Sequence, residues 1–308
     1  MLYDVRHETR FRYGGPVSMS HQLLKLKPRR SHRQNVLRAD VEVTPEPVVH
    51  DAWLDYFGNR VDFLTVQERH RELVITGHAR VEVLPSMSIM LDFSPAWEVV
   101  AQSVQNPVTA EALAAAHYCF ASPYVDVEAP LRDYALETFR PGRPLLEAVM
   151  ALTSRIFDEF EYQGGVTDVS TPVGRVLELG KGVCQDFAHL QIACLRAVGL
   201  PARYVSGYLM TGRGGNGTDE SHAWLSVWCP ELGWVDFDPT NNVIPDLKHV
   251  TVAWGRDYGD VSPVSGFIFG GGRHEVAVAV DVHAGDGFRR RCSPAAPWSR
   301  ETPRGPTC

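Results

Sequence analysis

Gly180-Lys181-Gly182-Val183-Cys184-Gln185-Asp186-Phe187-Ala188-His189-Leu190 is the stretch on which the reading of the chain turns. Two glycines break the backbone. An apolar helical segment then begins at the cysteine and runs through Gln191-Ile192-Ala193-Cys194-Leu195-Arg196-Ala197-Val198, until Gly199 and Pro201 end it. Apolar residues lie on nearly every side of this segment, so it is expected as a buried central helix. A thiol at a helix N-terminus faces the positive end of the helix dipole and unpaired backbone N–H groups. Both stabilise the thiolate, and the same N–H groups suit a developing oxyanion. Cys184 is therefore read as a nucleophile with a depressed pKa. Lone cysteines are more often buried packing residues, so the weight of the reading falls on what surrounds this one.

Downstream, Arg203 to Met210 reads as a strand. Gly212-Arg213-Gly214-Gly215-Asn216-Gly217 formally matches a dinucleotide fingerprint, but such a loop must open a helix, and here Ser221 to Cys229 alternates as a strand. A glycine-rich loop beside the site is the expectation. His222, Trp224, Ser226 and Trp228 share one face of that strand, and Ala223, Leu225 and Val227 the other. Pro230-Glu231-Leu232-Gly233 turns the chain, and Trp234 to Thr240 returns. With a three-residue loop Cys229 pairs with Gly233 and Trp224 lies opposite Asp238. His222 is then the diagonal neighbour of Asp238, ~7–8 Å away along the backbone and within side-chain reach. Asp236 falls opposite Ser226, ~13 Å from His222 along the strand. Asp238, not Asp236, is thus expected to orient His222.

Cysteine, histidine and aspartate in that order, with the cysteine opening a helix and the others on an adjacent hairpin, make a nucleophile, a base and its orienting carboxylate. Trp224, Tyr204, Tyr208 and Gln185 are candidates for a substrate cleft. His189, one turn past the nucleophile, is expected to point away from the hairpin.

The rest of the chain bounds the reading. Of 308 residues 44% are hydrophobic and 22% charged, which is ordinary for a globular protein. A net charge of −7 argues against nucleic acid or an anionic membrane as partner. The start lacks a signal-like apolar run, and no stretch is long enough to span a membrane, so the cytoplasm is expected. Cys119, Cys184, Cys194, Cys229, Cys292 and Cys308 show neither disulfide nor zinc spacing. No cofactor or metal is implied.

Residues 1–88 read as a small β-sandwich, with strands over Leu2–Tyr13, Gln22–Lys27, Asn35–Val43, Trp53–Val66 and His70–Leu84. Turn signals stand at Gly14-Gly15-Pro16, Pro45-Glu46-Pro47 and Phe57-Gly58-Asn59-Arg60. Residues 89–286 read as an α+β catalytic core, beginning with a helix capped by Ser94 and ending with a strand from His274 to Val282. Further helices are expected at Thr109–Tyr118, Pro130–Phe139 and Pro144–Phe160. The Arg- and Pro-rich tail, 287–308, is expected to be disordered.

Gly182-Val183-Cys184, Ser221-His222-Ala223-Trp224 and Asp238-Pro239-Thr240 resemble the three blocks of the transglutaminase-like superfamily, a papain-like fold. The longer phrases around Cys184 and Ala202-Arg203-Tyr204-Val205-Ser206-Gly207-Tyr208 resemble its bacterial branch, whose members are often labelled as candidate cysteine proteases. The β-rich start is similar to the N-terminal region of that branch. The resemblance implies Cys184 as nucleophile, His222 as acid/base and Asp238 as orienting carboxylate. It also implies acyl transfer at a peptide or carboxamide bond through an acyl-thioester, without naming a substrate. Water is the simpler acceptor, giving a protease or amidase; an amine acceptor would make a protein-glutamine transglutaminase or an arylamine acyltransferase. Two other classes remain, a peptide-binding module without catalysis and a metal held by Cys184, His222 and Asp238. Oligomeric state is not legible.

Overall fold

The computed structural model describes residues 1–86, 89–210 and 221–284. The glycine-rich loop at 212–217, the tail at 287–308 and residue 88 at the expected domain boundary lie outside the described residues.

The β-rich part is built from four long antiparallel runs, three of which break at one level. β1 (Leu2–Leu24) is continuous. On one side it pairs first with β5 (His70–Val83), Leu2 opposite Glu82, and then with β4 (Arg60–Val66), Leu24 opposite Asp62. β2 (Gln34–Thr44) and β3 (Val49–Leu54) continue the pattern outside β5 and β4. The expected turn signals therefore divide into two kinds. Phe57-Gly58-Asn59-Arg60 reverses the chain between β3 and β4, whereas Gly14-Gly15-Pro16 and Pro45-Glu46-Pro47 bend it without reversal. At Gly14 and Gly15 the backbone N–H groups bond Arg273 and Gly271 carbonyls across the bend, at 2.8 and 2.7 Å. Glycine and proline mark a change of direction, and only the distant pairing decides whether the strand turns back or folds over. The folded sheet closes on Tyr13, Val17, Leu24, Leu64, Val66, Leu73 and Ile75, which form a small core of their own. The β-rich start is thus part of one folded seven-stranded sheet.

The helical layer follows: α1 (Trp97–Gln105), α2 (Ala110–Ala116), α3 (Ala129–Leu136), α4 (Leu145–Glu159) and α5 (Val173–Leu179). Thr109 caps α2 through its side chain, as its position suggests. Ser94 does not cap α1; its hydroxyl accepts the Leu146 N–H at 3.0 Å and so serves the first turn of α4, to which no local sequence signal tied it. Two short parallel strands, β6 (Glu161–Tyr162) and β7 (Lys181–Gly182), pin the approach to α6 (Cys184–Ala197). From Cys184 to Arg196 every residue of α6 is buried, as its all-round apolar pattern requires.

α6 packs against a four-stranded antiparallel sheet of order β10-β9-β8-β11, formed by β8 (Ala202–Leu209), β9 (Ser221–Cys229), β10 (Gly233–Phe237) and β11 (His249–Gly255). The chain then returns to the first sheet. β12 (Val264–Gly270) and β13 (His274–Ala284) pair with the second and first halves of β1. The strand expected to close the catalytic core is thus hydrogen-bonded to β1, because its ladder partner, Tyr3 to Tyr13, lies at the far end of the sequence. The main core is shared all the same: Tyr3, Val5, Val81, Val280 and Val282 pack in one cluster with the helices and with Ala223, Leu225 and Val227.

Candidate active site

Cys184 is the first residue of α6, after Val183 in extended conformation. Asp186 reaches back to accept the Val183 N–H at 2.8 Å and also accepts the Thr167 hydroxyl at 2.7 Å. Burial raises its pKa against these two bonds. Gly182 is required by this cap: a Cβ there would lie 2.7 Å from the Asp186 carboxylate oxygen.

β9 and β10 pair in the register expected from the three-residue loop, Gly233 opposite Cys229 and Phe237 opposite Leu225, which carries Asp238 to the level of Trp224. His222 Nε2–H donates to Asp238 Oδ2 at 2.8 Å, and the imidazole is also hydrogen-bonded to the Cys184 side chain. Asp236 instead accepts the Ser226 hydroxyl. Three residues from separate segments, all buried, are therefore joined in one chain of hydrogen bonds.

The charge states follow from these contacts. Burial opposes a charged His222, but the bonds to Asp238 and Cys184 outweigh it and lift the imidazole to about 10. Burial likewise opposes an ionised Asp238, and the donors from His222 and His249 outweigh it, holding the carboxyl well below the ordinary carboxylate range. Its Oδ1 accepts the backbone N–H groups of Thr240 and Asn241, at 2.9 and 3.2 Å.

Two neighbours were not expected. His249 Nε2 lies 3.0 Å from Asp238 Oδ2, and the Asn241 amide donates to the same oxygen at 2.8 Å. Asn241 stands three residues past the aspartate and a local turn could have suggested it. His249 is eleven residues away at the start of another strand, and nothing in the local pattern marks it.

The expected cleft residues separate. Trp224 lies beside the site, its ring 6.0 Å from that of His222 and 5.2 Å from that of His249. Its indole N–H has no hydrogen-bond partner among the described residues. The ring fits because position 207 is glycine: a Cβ would sit 2.5 Å from it and 2.1 Å from the Val250 carbonyl oxygen. Tyr204 packs on His189 and Tyr258 inside the core. Tyr208 donates or accepts a hydrogen bond with His7 of β1, at 3.1 Å. Gln185 is buried in the first turn of α6. His189 accepts the Tyr258 N–H at 3.1 Å, and burial lowers its pKa to about 3, so it is a neutral core residue turned away from the hairpin.

The family model described as the transglutaminase-like superfamily matches residues 132–239, and the one described as the bacterial transglutaminase-like N-terminal region matches residues 3–82. An uncharacterised protein of Mycobacterium tuberculosis is 38% identical over 293 residues, 91% of this chain and 92% of that protein. A solved structure from Cytophaga hutchinsonii, described as a candidate cysteine protease, shares the fold with a TM-score of 0.73 at 23% identity, over 98% of this chain and 94% of that one. A protein-glutamine gamma-glutamyltransferase of Pseudomonas aeruginosa is 37% identical over 75 residues, 21% of this chain and 11% of that protein.

Proposed function

The chain belongs to the transglutaminase-like superfamily, and from that premise we propose that it is a thiol acyl-transfer enzyme acting on peptide or carboxamide bonds, with water as acceptor. The observation that carries the reading is a buried imidazole hydrogen-bonded to Cys184 on one side and Asp238 on the other. A histidine lifted to about 10 is charged at neutral pH, and its natural counter-ion is the thiolate. The sulfur attacks the carbonyl carbon, forming a C–S bond and an oxyanion that the Cys184 backbone N–H faces. His222 gives its proton to the departing amine as the C–N bond breaks. Water then adds to the thioester, His222 takes its proton, and the C–S bond breaks to release the acid and restore the thiolate–imidazolium pair. Asp238 keeps the Nε2–H tautomer throughout. An amine in place of water yields a transamidated product, the second reading, which the short match to the Pseudomonas enzyme favours.

The other described thiols are poor competitors. Burial pushes Cys119 and Cys229 up to about 11 and Cys194 up to about 12. None of the four described cysteines is in a disulfide. No helix among the described residues is long and apolar enough to cross a membrane.

Brief substoichiometric iodoacetamide, followed by peptide mapping, tests the reading. Labelling is expected at Cys184, slowed by at least tenfold in His222→Ala. Labelling spread over the thiols, or unaffected by the substitution, would leave a binding module in its place. Peptide and amide libraries with and without added amine then separate the acceptors.

A further inference from the structure

We infer that His249 is a positioning residue for His222, acting through the Asp238 carboxylate they share, and that the N-terminal β region sets its position. The inference rests on the proposed triad and extends it. Asp238 Oδ2 is approached by His222 Nε2 at 2.8 Å, the Asn241 amide at 2.8 Å and His249 Nε2 at 3.0 Å. Three donors on one oxygen divide its charge. The hold of Asp238 on His222 therefore depends on how much of that charge His249 takes.

The arrangement is locked from outside the catalytic sheet. His249 opens β11, the edge strand, whose outward N–H and C=O groups would otherwise be open. Two buried amides from the N-terminal region supply a surrogate strand. Gln34 donates to the Thr251 carbonyl at 2.7 Å and accepts its N–H at 2.8 Å. Asn59 donates to the Trp254 carbonyl at 2.8 Å and accepts its N–H at 3.0 Å. Arg33 donates to the Pro245 carbonyl and the Asp246 carboxylate, and the Asp246 carbonyl in turn accepts the His249 N–H at 3.0 Å. The segment 245–254 thus hangs on residues 33, 34 and 59, and His249 rides on it.

A metal bound by His222, Asp238 and His249 is the competing reading, since their ligand atoms lie within 4.8 Å of one another. Metal-bound histidines ordinarily donate their second N–H to a fixed partner. His249 Nδ1 is buried with none, which suits a neutral ring donating through Nε2 and presenting only a lone pair at Nδ1.

Nitrogen-15 NMR of the His222 imidazole tests this without substrate. His249→Phe keeps a ring against Trp224 and removes the donor, so the His222 titration midpoint is expected to rise by on the order of one pH unit. His249→Gln, which keeps an N–H, should restore it. Gln34→Ala, or Arg33→Ala if the former does not fold, should move the midpoint in the same direction. The double variant with His249→Phe should go no further than His249→Phe alone. An unmoved midpoint in a folded His249→Phe protein would overturn the positioning role. Full additivity in the double variant would overturn the link to the N-terminal region. One equivalent of zinc in the purified protein would overturn both, because Nε2 would then be coordinated and not a donor. Failure of Cys184 labelling with these shifts intact would count against the proposed enzyme, not against the coupling.

Discussion

His222 and Asp238 draw each other's charge states in opposite directions, and the direction fixes a pH dependence. His222, lifted from its ordinary 6.5 to about 10, contributes stability that is undiminished below pH 6.5 and lost as pH rises through 10. Asp238, held below its ordinary 3.8, contributes stability that is present above that value and lost as pH falls. Thermal melts of wild type should therefore decline as pH approaches 10. Asp238→Asn should melt lower at pH 7 and lose that part of the alkaline decline, whereas parallel curves would sink the account. At this scale the sequence was most legible where chemistry and local geometry coincide. A three-residue loop fixes the β9–β10 register, and the register fixes which aspartate meets His222. His249 escaped because its partner lies in another strand, and burial of Tyr204 and Tyr208 in the core could not be told from a cleft wall by alternation alone.

An edge strand usually needs protection, and β11 receives it from side chains. Asn59 is fully buried and replaces a strand's N–H and C=O at Trp254, while its amide also bonds Asp55 at 3.0 Å. Arg29 covers one face of the Trp254 ring, its guanidinium carbon 3.2 Å from the centroid, and Arg203 lies 3.6 Å from the same centroid. Asn59→Ala would orphan a buried N–H and a buried carbonyl together, a loss of about 3 kcal/mol. The measurement is the midpoint of chemical denaturation at constant slope, and a change under about 0.5 kcal/mol would show the surrogate strand to be dispensable. Elements themselves were legible from periodicity, since α4, α6 and the β9–β10 hairpin appear where their patterns put them. What joins elements was not: Gly14-Gly15-Pro16 looked like a reversal and is a fold-over, and Ser94 serves a helix fifty residues on.

Across the whole molecule the two sheets meet at His7, whose ring nitrogens bond Tyr208 and Thr9, both at 3.1 Å. Burial lowers its pKa from 6.5 to about 4, so it is neutral in the fold. Its contribution is complete above pH 6.5 and fades as pH falls toward 4, where protonation competes with folding. Wild-type melting temperatures should fall across that interval. His7→Gln should flatten part of the slope and leave the part due to His189, and an unchanged slope would remove His7 from the account. The α+β plan was legible as two patterns in sequence, alternation followed by helical spacing. That the last strands belong to the first sheet was not, because pairing between Tyr3–His7 and residues 280–284 leaves no local trace.

That return of β12 and β13 to β1 has a consequence in time. The first strand to be synthesised keeps one edge without its partner until some 260 further residues have been added, roughly ten to fifty seconds of ribosome travel. Throughout that interval a long strand, flanked on its other side by β4 and β5, offers a row of open N–H and C=O groups to any other nascent chain. The N-terminal sheet thus reaches its final form only after its last strand has emerged.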